Sequence, residues 1–367
     1  MERKPRLKEI LSSSVFIIII GALLTLNIVI PAPAVLLSER RVPAKLPELS
    51  ADSILSGNFM SKFDSYASDS FVFRDTFREI QAFMILDVFM LNDKSGLYRS
   101  ENVGTGELTP VNATSYRQSA ERIKRAADSL AGLGINVYYS IIPDKSVYAG
   151  GYLPGFETVA AESAVSATLD GYEYIRLTDA LSAGSFYKTD LHWDQTRIEG
   201  AVDALFTALG AEPAHGDRPI VEAGLFRGVY AGQLALPAAP DRMSYVDIQG
   251  LRVNYLNEKT LQFEPGPLYD TERFYGVDPY DLFLRGPQPL IIIENEAAPE
   301  RELYLFRDSF GSSLAPLLAS AYSRVVLIDL RYINFIMLDQ FIDLRPGSDA
   351  LFIYSSQILN NPSVIQA

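Results

Sequence analysis

The 367-residue chain has no cysteine, two histidines and one tryptophan. Without cysteine there are no disulfides, thiolate nucleophiles or cysteine-ligated zinc. That absence does not fix a compartment, since a large domain needs no disulfide wherever it resides. Positive charge is also scarce, with 32 Lys and Arg against 45 Asp and Glu and a net of −13. Binding a phosphate backbone needs clustered Lys and Arg, so nucleic acid is excluded as a partner. Apolar residues are plentiful: 48% of the chain is hydrophobic, with 20 Tyr and 20 Phe, enough for a substantial core and too much for disorder.

Charge is missing altogether from Ile10 to Ser38, and Val15–Ile30 is almost wholly apolar. A helix over Leu11–Ile30 would be about 30 Å long, enough to cross a bilayer. Arg3, Lys4, Arg6 and Lys8 precede it, which favours a cytoplasmic N-terminus. Ala32-Pro33-Ala34 has the small-x-small form of a signal peptidase site, but the run is long for a cleaved signal and favours an uncleaved anchor. The expectation is a single-pass protein with its main domain outside the cytoplasm. Residues 1–45 carry a net +4, leaving −17 on the rest. An acidic exported domain is repelled by anionic lipid heads and anionic polymers, and meets a neutral glycan more readily.

Three regions follow from pattern: 1–45 as tail, transmembrane anchor and linker, 46–110 as a helical segment packing on the main domain, and 111–367 as an α/β domain. Phe59, Phe63, Tyr66, Phe71, Phe73, Phe77 and Ile80 recur at near-helical spacing, a stripe expected to pack internally. From Asn112, helix and strand alternate: a helix over Thr114–Leu133, strands over Ile135–Ile142 and Tyr172–Leu177, and a helix over Thr196–Leu209. Residues 211–300 interrupt this as an inserted, partly β region, with short runs at Met243–Ile248 and Leu290–Ile293. Strands then follow at Glu302–Phe306, Arg324–Asp329 and Ala350–Tyr354, with helices over Phe310–Ala321 and Met337–Leu344. Such alternation implies a parallel sheet covered on both faces.

Two spots carry chemistry. In Leu303-Tyr-Leu-Phe-Arg-Asp-Ser309-Phe-Gly-Ser312 a hydrophobic strand runs into a turn bearing Ser309 and then a helix. Ligands of parallel sheets gather at the carboxyl ends of strands, and a serine amide at a helix N-terminus can stabilise an oxyanion. The plainer reading is that Asp308 or Ser309 caps the helix. In Thr189-Asp190-Leu191-His192-Trp193-Asp194 one of the two histidines stands beside the only tryptophan. A serine nucleophile needs a base such as imidazole, which needs a carboxylate to fix its tautomer. In an extended segment Asp190 and His192 point the same way. Trp193 would pack beside the imidazole or stack on a sugar ring. A capping aspartate and a packed histidine are the alternatives. His215 is the only other histidine, so a metal would rest on carboxylates, and neither metal nor cofactor is expected.

Together the Asp-x-His-Trp stretch, the strand–Asp-Ser-Phe–helix and Ile328-Asp-Leu-Arg331-Tyr332 resemble the DHHW protein family, related to the SGNH-hydrolase-like proteins of alginate O-acetylation. Further matches are Phe63-Asp-Ser-Tyr-Ala-Ser-Asp69 with Phe73-Arg-Asp75, Ile142-Pro-Asp-Lys145, and Phe226-Arg-Gly228 with Tyr230. The resemblance implies an SGNH-hydrolase-like α/β/α domain whose Asp-His pair precedes the serine, a permuted motif order. It implies O-acetyl transfer to a cell-surface or secreted polysaccharide, often beside a membrane-bound O-acyltransferase partner. Ser309 would then be the nucleophile, His192 the general base and Asp190 its orienting carboxylate. Trp193, Asp308, Arg331, Tyr230 and Lys145 would support the site or bind substrate, with an ion pair the favoured role for Arg331. Gly228 and Asn295 are candidates for further oxyanion donors. Two departures stand out: Leu191 replaces the first histidine of the motif, and Arg307 stands where SGNH esterases have the glycine of Gly-Asp-Ser. A carbohydrate O-acetyl esterase and a non-catalytic glycan-binding or assembly subunit are the rival functions.

Overall fold

The computed structural model describes residues 7–150, 158–213 and 218–367, so His215 and the basic residues Arg3, Lys4 and Arg6 lie outside the described residues. The chain forms two compact units. One is the chain up to Leu91 with Ala235–Pro237, and the other is Asn92–Leu234 with Ala238–Ala367.

In the first unit α1 (Leu7–Val29) is a single apolar helix, long and apolar enough to span a membrane. Three further helices follow: α2 (Ala51–Leu55), α3 (Asn58–Ser70) and α4 (Arg74–Phe83). The polarity of α3 and α4 differs from the expectation of an internally packed stripe. Phe63, Phe71, Phe73, Phe77 and Ile80 are all exposed. Charged groups are partly or largely buried here alongside the apolar Leu36, Val72, Ala82 and Leu86. Asp69 accepts two bonds of 2.6 Å from Arg41, and Glu39 pairs with Arg74 at 2.6 Å and Arg78 at 2.9 Å. The bond from Arg41 holds the Asp69 carboxyl down at about 2.

The second unit opens with a small antiparallel sheet, β1 (Asp93–Lys94), β2 (Leu97–Ser100) and β3 (Gly104–Glu107). There follow α5 (Ala113–Gly132), β4 (Asn136–Ile142), α6 (Thr158–Thr168), β5 (Glu173–Tyr174) and α7 (Glu199–Leu209). Then come β6 (Ile220–Phe226), α8 (Val229–Leu234), β7 (Asp241–Val246), β8 (Leu251–Leu256), β9 (Phe263–Gly266) and β10 (Leu290–Asn295). The chain finishes with β11 (Glu302–Arg307), α9 (Phe310–Leu318), β12 (Arg324–Ile328), β13 (Asp349–Ser355) and α10 (Ser356–Leu359). Eight strands form the main sheet in the order β5-β4-β13-β11-β12-β10-β8-β9. The five from β5 to β12 are parallel, and β10, β8 and β9 continue the sheet antiparallel. Residues 211–300 thus give three strands to the main sheet, besides the separate β6–β7 hairpin.

The central strands are apolar on both faces because both are covered. Leu303, Leu305, Leu351 and Ile353 face a core shared with α7 and α9, while Tyr304, Phe306, Phe352 and Tyr354 face a second core shared with α5 and α6. The fold is an α/β/α sandwich. Local departures from the sequence reading fall at its margins. The strand expected over Tyr172–Leu177 keeps two paired residues, at the sheet edge. The helix expected over Met337–Leu344 is a short 3₁₀ turn, Phe335–Gln340, capped by Asn334. Leu305 lies in the middle of the sheet with no exposed surface. Leu305→Ala is expected to cost about 2–5 kcal/mol. Denaturant unfolding of the full chain in detergent measures this, and a loss below about 1 kcal/mol would contradict a close-packed sheet at that point.

Candidate active site

Ser309 lies one residue beyond the end of β11 and stands at the N-terminus of α9, on the carboxyl edge of the parallel strands. The turn preceding α9 is held by Asp308, which is fully buried. Its Oδ1 accepts the Phe310 N–H at 3.0 Å and its Oδ2 the Ser355 N–H at 2.7 Å, tying β13 to the head of α9. Asp308 is therefore a structural cap, closed off from any substrate. The neighbouring amides are occupied as well, since the Gly311 N–H bonds Asp308 O and the Ser312 N–H bonds Ser309 O. No hydrogen bond within the described residues takes up the Ser309 N–H.

His192 arrives from a loop closed like a hairpin. The Tyr187 N–H bonds His192 O at 3.1 Å, and the Asp194 N–H bonds Ser185 O at 2.9 Å. Asp190 and His192 meet through a tight bend rather than an extended run. Asp190 Oδ1 accepts the His192 backbone N–H at 3.1 Å and lies 2.7 Å from its Nδ1. A carboxylate oxygen only accepts, so Nδ1 carries the proton and Nε2 keeps a lone pair. That Nε2 is 2.8 Å from Ser309 Oγ. Asp190 is completely buried, and its second oxygen accepts the Val229 N–H at 3.0 Å. An imidazole so fixed can draw a proton from the hydroxyl and stabilise the charge it then carries.

The residues around this line have structural duties. Trp193 is fully buried, packs edge-on against Phe310 at 5.3 Å, and donates to Ser313 Oγ at 2.8 Å. It supports the site, and a sugar cannot reach it to stack. Tyr280 was not singled out in the sequence, and its ring lies flat against the His192 imidazole, with centroids 3.7 Å apart and planes within 7°. Its hydroxyl meets Ser313 Oγ at 2.7 Å. No local pattern marks it, because the stack forms only once the 211–300 segment is folded. Lys145 is buried, and its Nζ donates to the carbonyls of Tyr187 and Asp190, each at 2.8 Å, and to that of Lys188 at 3.4 Å. Its ammonium also lies 5.7 Å from the Tyr230 ring centre. The Tyr230 hydroxyl is taken up by Gln357, which also reaches Asp144 at 3.0 Å.

Both proposed oxyanion donors fall away. The Gly228 N–H is spent on Thr189 Oγ1 at 2.8 Å, and Gly228 is glycine because an added Cβ would lie 2.3 Å from Thr189 O. Asn295 ends β10, which runs antiparallel, and so sits beside the start of β12 at the opposite end of the sheet. Its amide there bonds Ala319 O at 2.8 Å. Arg331 forms a two-pronged pair with Asp329 at 2.8 and 2.7 Å, the ion pair favoured from sequence. Arg307, noted only as a departure, is fully buried. Its Nη1 donates to Asp308 O at 3.2 Å and lies 3.5 Å from Asp329 Oδ2, while Nε and Nη2 have no partner among the described residues. Burial pulls its guanidinium below the ordinary arginine range.

The sequence matches no protein-family model and no curated protein. The α/β/α fold is shared with solved structures at low sequence identity. In particular, the chain is similar to a DHHW family protein from Eubacterium siraeum DSM 15702, with a TM-score of 0.55 and 18% identity over 73% of this chain and 93% of that one. It is similar to Bacillus cereus PatB1 solved with a sulfonyl adduct, with a TM-score of 0.53 and 16% identity over 71% of this chain and 95% of that one. The O-acetyltransferase domain of Pseudomonas putida AlgJ aligns at a TM-score of 0.45 and 14% identity, over 73% of this chain and 93% of that one.

The Lys145 tether gives a pH prediction. Burial lowers its ammonium to about 8, against the opposing pull of Asp190, Asp144 and Asp241. An ammonium has three N–H donors for three carbonyls, and the neutral amine has two. The folded value lies below that of the unfolded chain, so the unfolded state holds more protons in the window from about 8 to about 10.4 and stability from this group rises with pH there. The grip on the loop weakens over the same range. Activity is expected to fall above about pH 8 while circular dichroism is unchanged, and Lys145→Met should remove that limb from the profile. An alkaline limb that persists in Lys145→Met would assign it to another group.

Proposed function

We propose that the chain is an extracytoplasmic O-acetyltransferase, held at the membrane by α1, that acetylates a cell-surface or secreted polysaccharide through an acyl-serine on Ser309. The observation that carries this reading is the bond path from Ser309 Oγ through His192 to the buried Asp190 carboxylate. The fold likeness to the DHHW family protein is consistent with it. The acetyl group would arrive through a membrane-bound O-acyltransferase partner.

In this mechanism His192 Nε2 takes the Ser309 proton as Oγ attacks the acetyl carbonyl. The resulting oxyanion is met by the Ser309 N–H, at the head of α9 where the helix dipole favours negative charge. His192 returns the proton to the departing donor group, leaving acetyl-Ser309. A glycan hydroxyl then gives its proton to His192 and attacks the ester carbonyl. Collapse of that intermediate releases the acetylated glycan and restores the serine. Arg307 acts through the peptide bond. Its Nη1 bonds Asp308 O, the carbonyl of the same peptide unit whose N–H belongs to Ser309. Hydrogen bonding at one end of an amide polarises the other, so the buried cation strengthens the Ser309 donor.

Treating the full chain in detergent with an activated acetyl ester is expected to add one acetyl group by intact mass, absent in Ser309→Ala. A sulfonyl fluoride should label the same residue. The lifetime of the acetyl adduct, with and without neutral glycans, separates transfer from hydrolysis. Folded wild-type protein that takes up neither label would exclude the acyl-enzyme. Asp190→Asn keeps the shape and reverses the tautomer preference, and is expected to lower kcat by about 10⁴. Arg307→Met, which removes a buried cation with unmet donors, should leave thermal stability and KM unchanged and lower kcat about tenfold. An unchanged kcat would dismiss the peptide polarisation.

A further inference from the structure

In the first unit the large apolar side chains of α4 are exposed. Phe73, Phe77, Ile80 and Met84 recur at three- and four-residue spacing, so they share one face of α4 and its C-terminal extension. That face is open, with Phe73 55%, Phe77 47% and Ile80 53% exposed. Phe71 pairs with Phe77 at 5.7 Å, also outside. Arg74 and Arg78 are half-buried instead, at helical spacing from the buried Ala82 and Leu86, while Asp75 and Glu79 stay exposed. Arg74 and Arg78 are held against Glu39, which also takes a bond from Arg41, and Arg41 closes on Asp69. A helix bathed in water buries its large apolar side chains, and this one leaves them open.

The position of this face in the unit says what covers it. The turn at Phe71–Phe73 is pinned to the last turn of α1 by a bond of 2.8 Å from the Val72 N–H to Asn27 Oδ1. Ile30, Pro31, Pro33 and Leu36, just beyond α1, line a pocket with residues 69–76. If Leu11–Val29 spans the bilayer, Asn27 stands where the acyl chains give way to headgroups, and the aromatic turn lies at that depth. We propose that the exposed face of α4, with Phe71 and Phe73, inserts into the boundary layer of the membrane that α1 crosses. The occupant is lipid, taken through acyl contacts rather than phosphate charge, because Arg41, Arg74 and Arg78 are already paired with carboxylates. Attachment by an amphipathic face of this kind is shallow, in the plane of the interface. The inference rests on the reading of α1 as an anchor.

The cysteine-free sequence makes the test direct, since any single introduced cysteine is the only labelling site. Phe77→Cys and Ile80→Cys replace exposed side chains, where substitution has little effect on folding. Leu24→Cys in α1 and Glu121→Cys on α5 are the references. Each full-length variant is labelled with a polarity-sensitive fluorophore and reconstituted into phosphatidylcholine vesicles. The expected result is that probes at 77, 80 and 24 are quenched by brominated lipid and protected from iodide, with the reverse at 121. Iodide quenching at 77 and 80 with lipid quenching at 24 would overturn the inference and leave the anchor standing. Iodide quenching at 24 as well would overturn the anchor, and the inference with it. Protection of 77 and 80 from both quenchers would mean that a protein surface or a second copy covers the face, and would overturn lipid as the occupant.

Discussion

A carboxylate without solvent has to be satisfied by the protein, and at Asp190 this requirement organises the site. One oxygen takes the Nδ1–H and the backbone N–H of His192, and the other takes the Val229 N–H. Leaving such a group buried and unpaired is among the costlier errors a fold can make. The loop carrying His192 therefore cannot move away without stranding the charge. The imidazole is held by its partner's need for donors as much as by its own. From the other side, the Lys145 ammonium fixes the backbone that carries the carboxylate, and Tyr280 prevents the ring from tilting. The direction of Nε2 towards Ser309 follows from these constraints together.

The same logic gives Arg307 its weight. A buried guanidinium with two donor nitrogens unmet among the described residues is expensive, and packing alone would favour an apolar residue of the same length. Gly311 leaves room for it, since a Cβ there would lie 2.5 Å from the Arg307 Cβ. One contact it makes is with the carbonyl of the peptide whose N–H belongs to Ser309. Desolvated charge placed beside a polarisable amide acts at a strength that it would not have in water.

The sequence was most legible where residues were buried on both faces. The continuous apolar runs of β4, β11, β12 and β13 fixed their own boundaries within a residue or two, and capping and glycine signals bounded α5 and α7. The Asp-x-His and Asp-Ser motifs were also readable, because rare residue types in two short stretches narrow the choice of chemistry. Legibility failed where a role depends on distant chain. Tyr280 reaches His192 from 88 residues away, and nothing around it is unusual. Gly228 looked like an amide donor, but its N–H and its missing side chain both serve the approach of Thr189. Asn295 belongs to a strand whose direction no local pattern disclosed. The aromatic stripe of α3 and α4 was read correctly as helical and wrongly as interior, since periodicity locates a face without saying which solvent it meets.

The order of strands carries a further consequence. β13, the last strand of the main sheet in sequence, is inserted between β4 and β11. It joins the half of the sheet formed from early chain to the half that leads into Ser309, and its end also secures Asp308. Until residues 349–355 are threaded into that gap, serine and histidine belong to separate, incompletely paired fragments. A chain folding as it is made would complete this sheet only when nearly all of it is available. The meeting of these two side chains is thereby postponed by strand order alone.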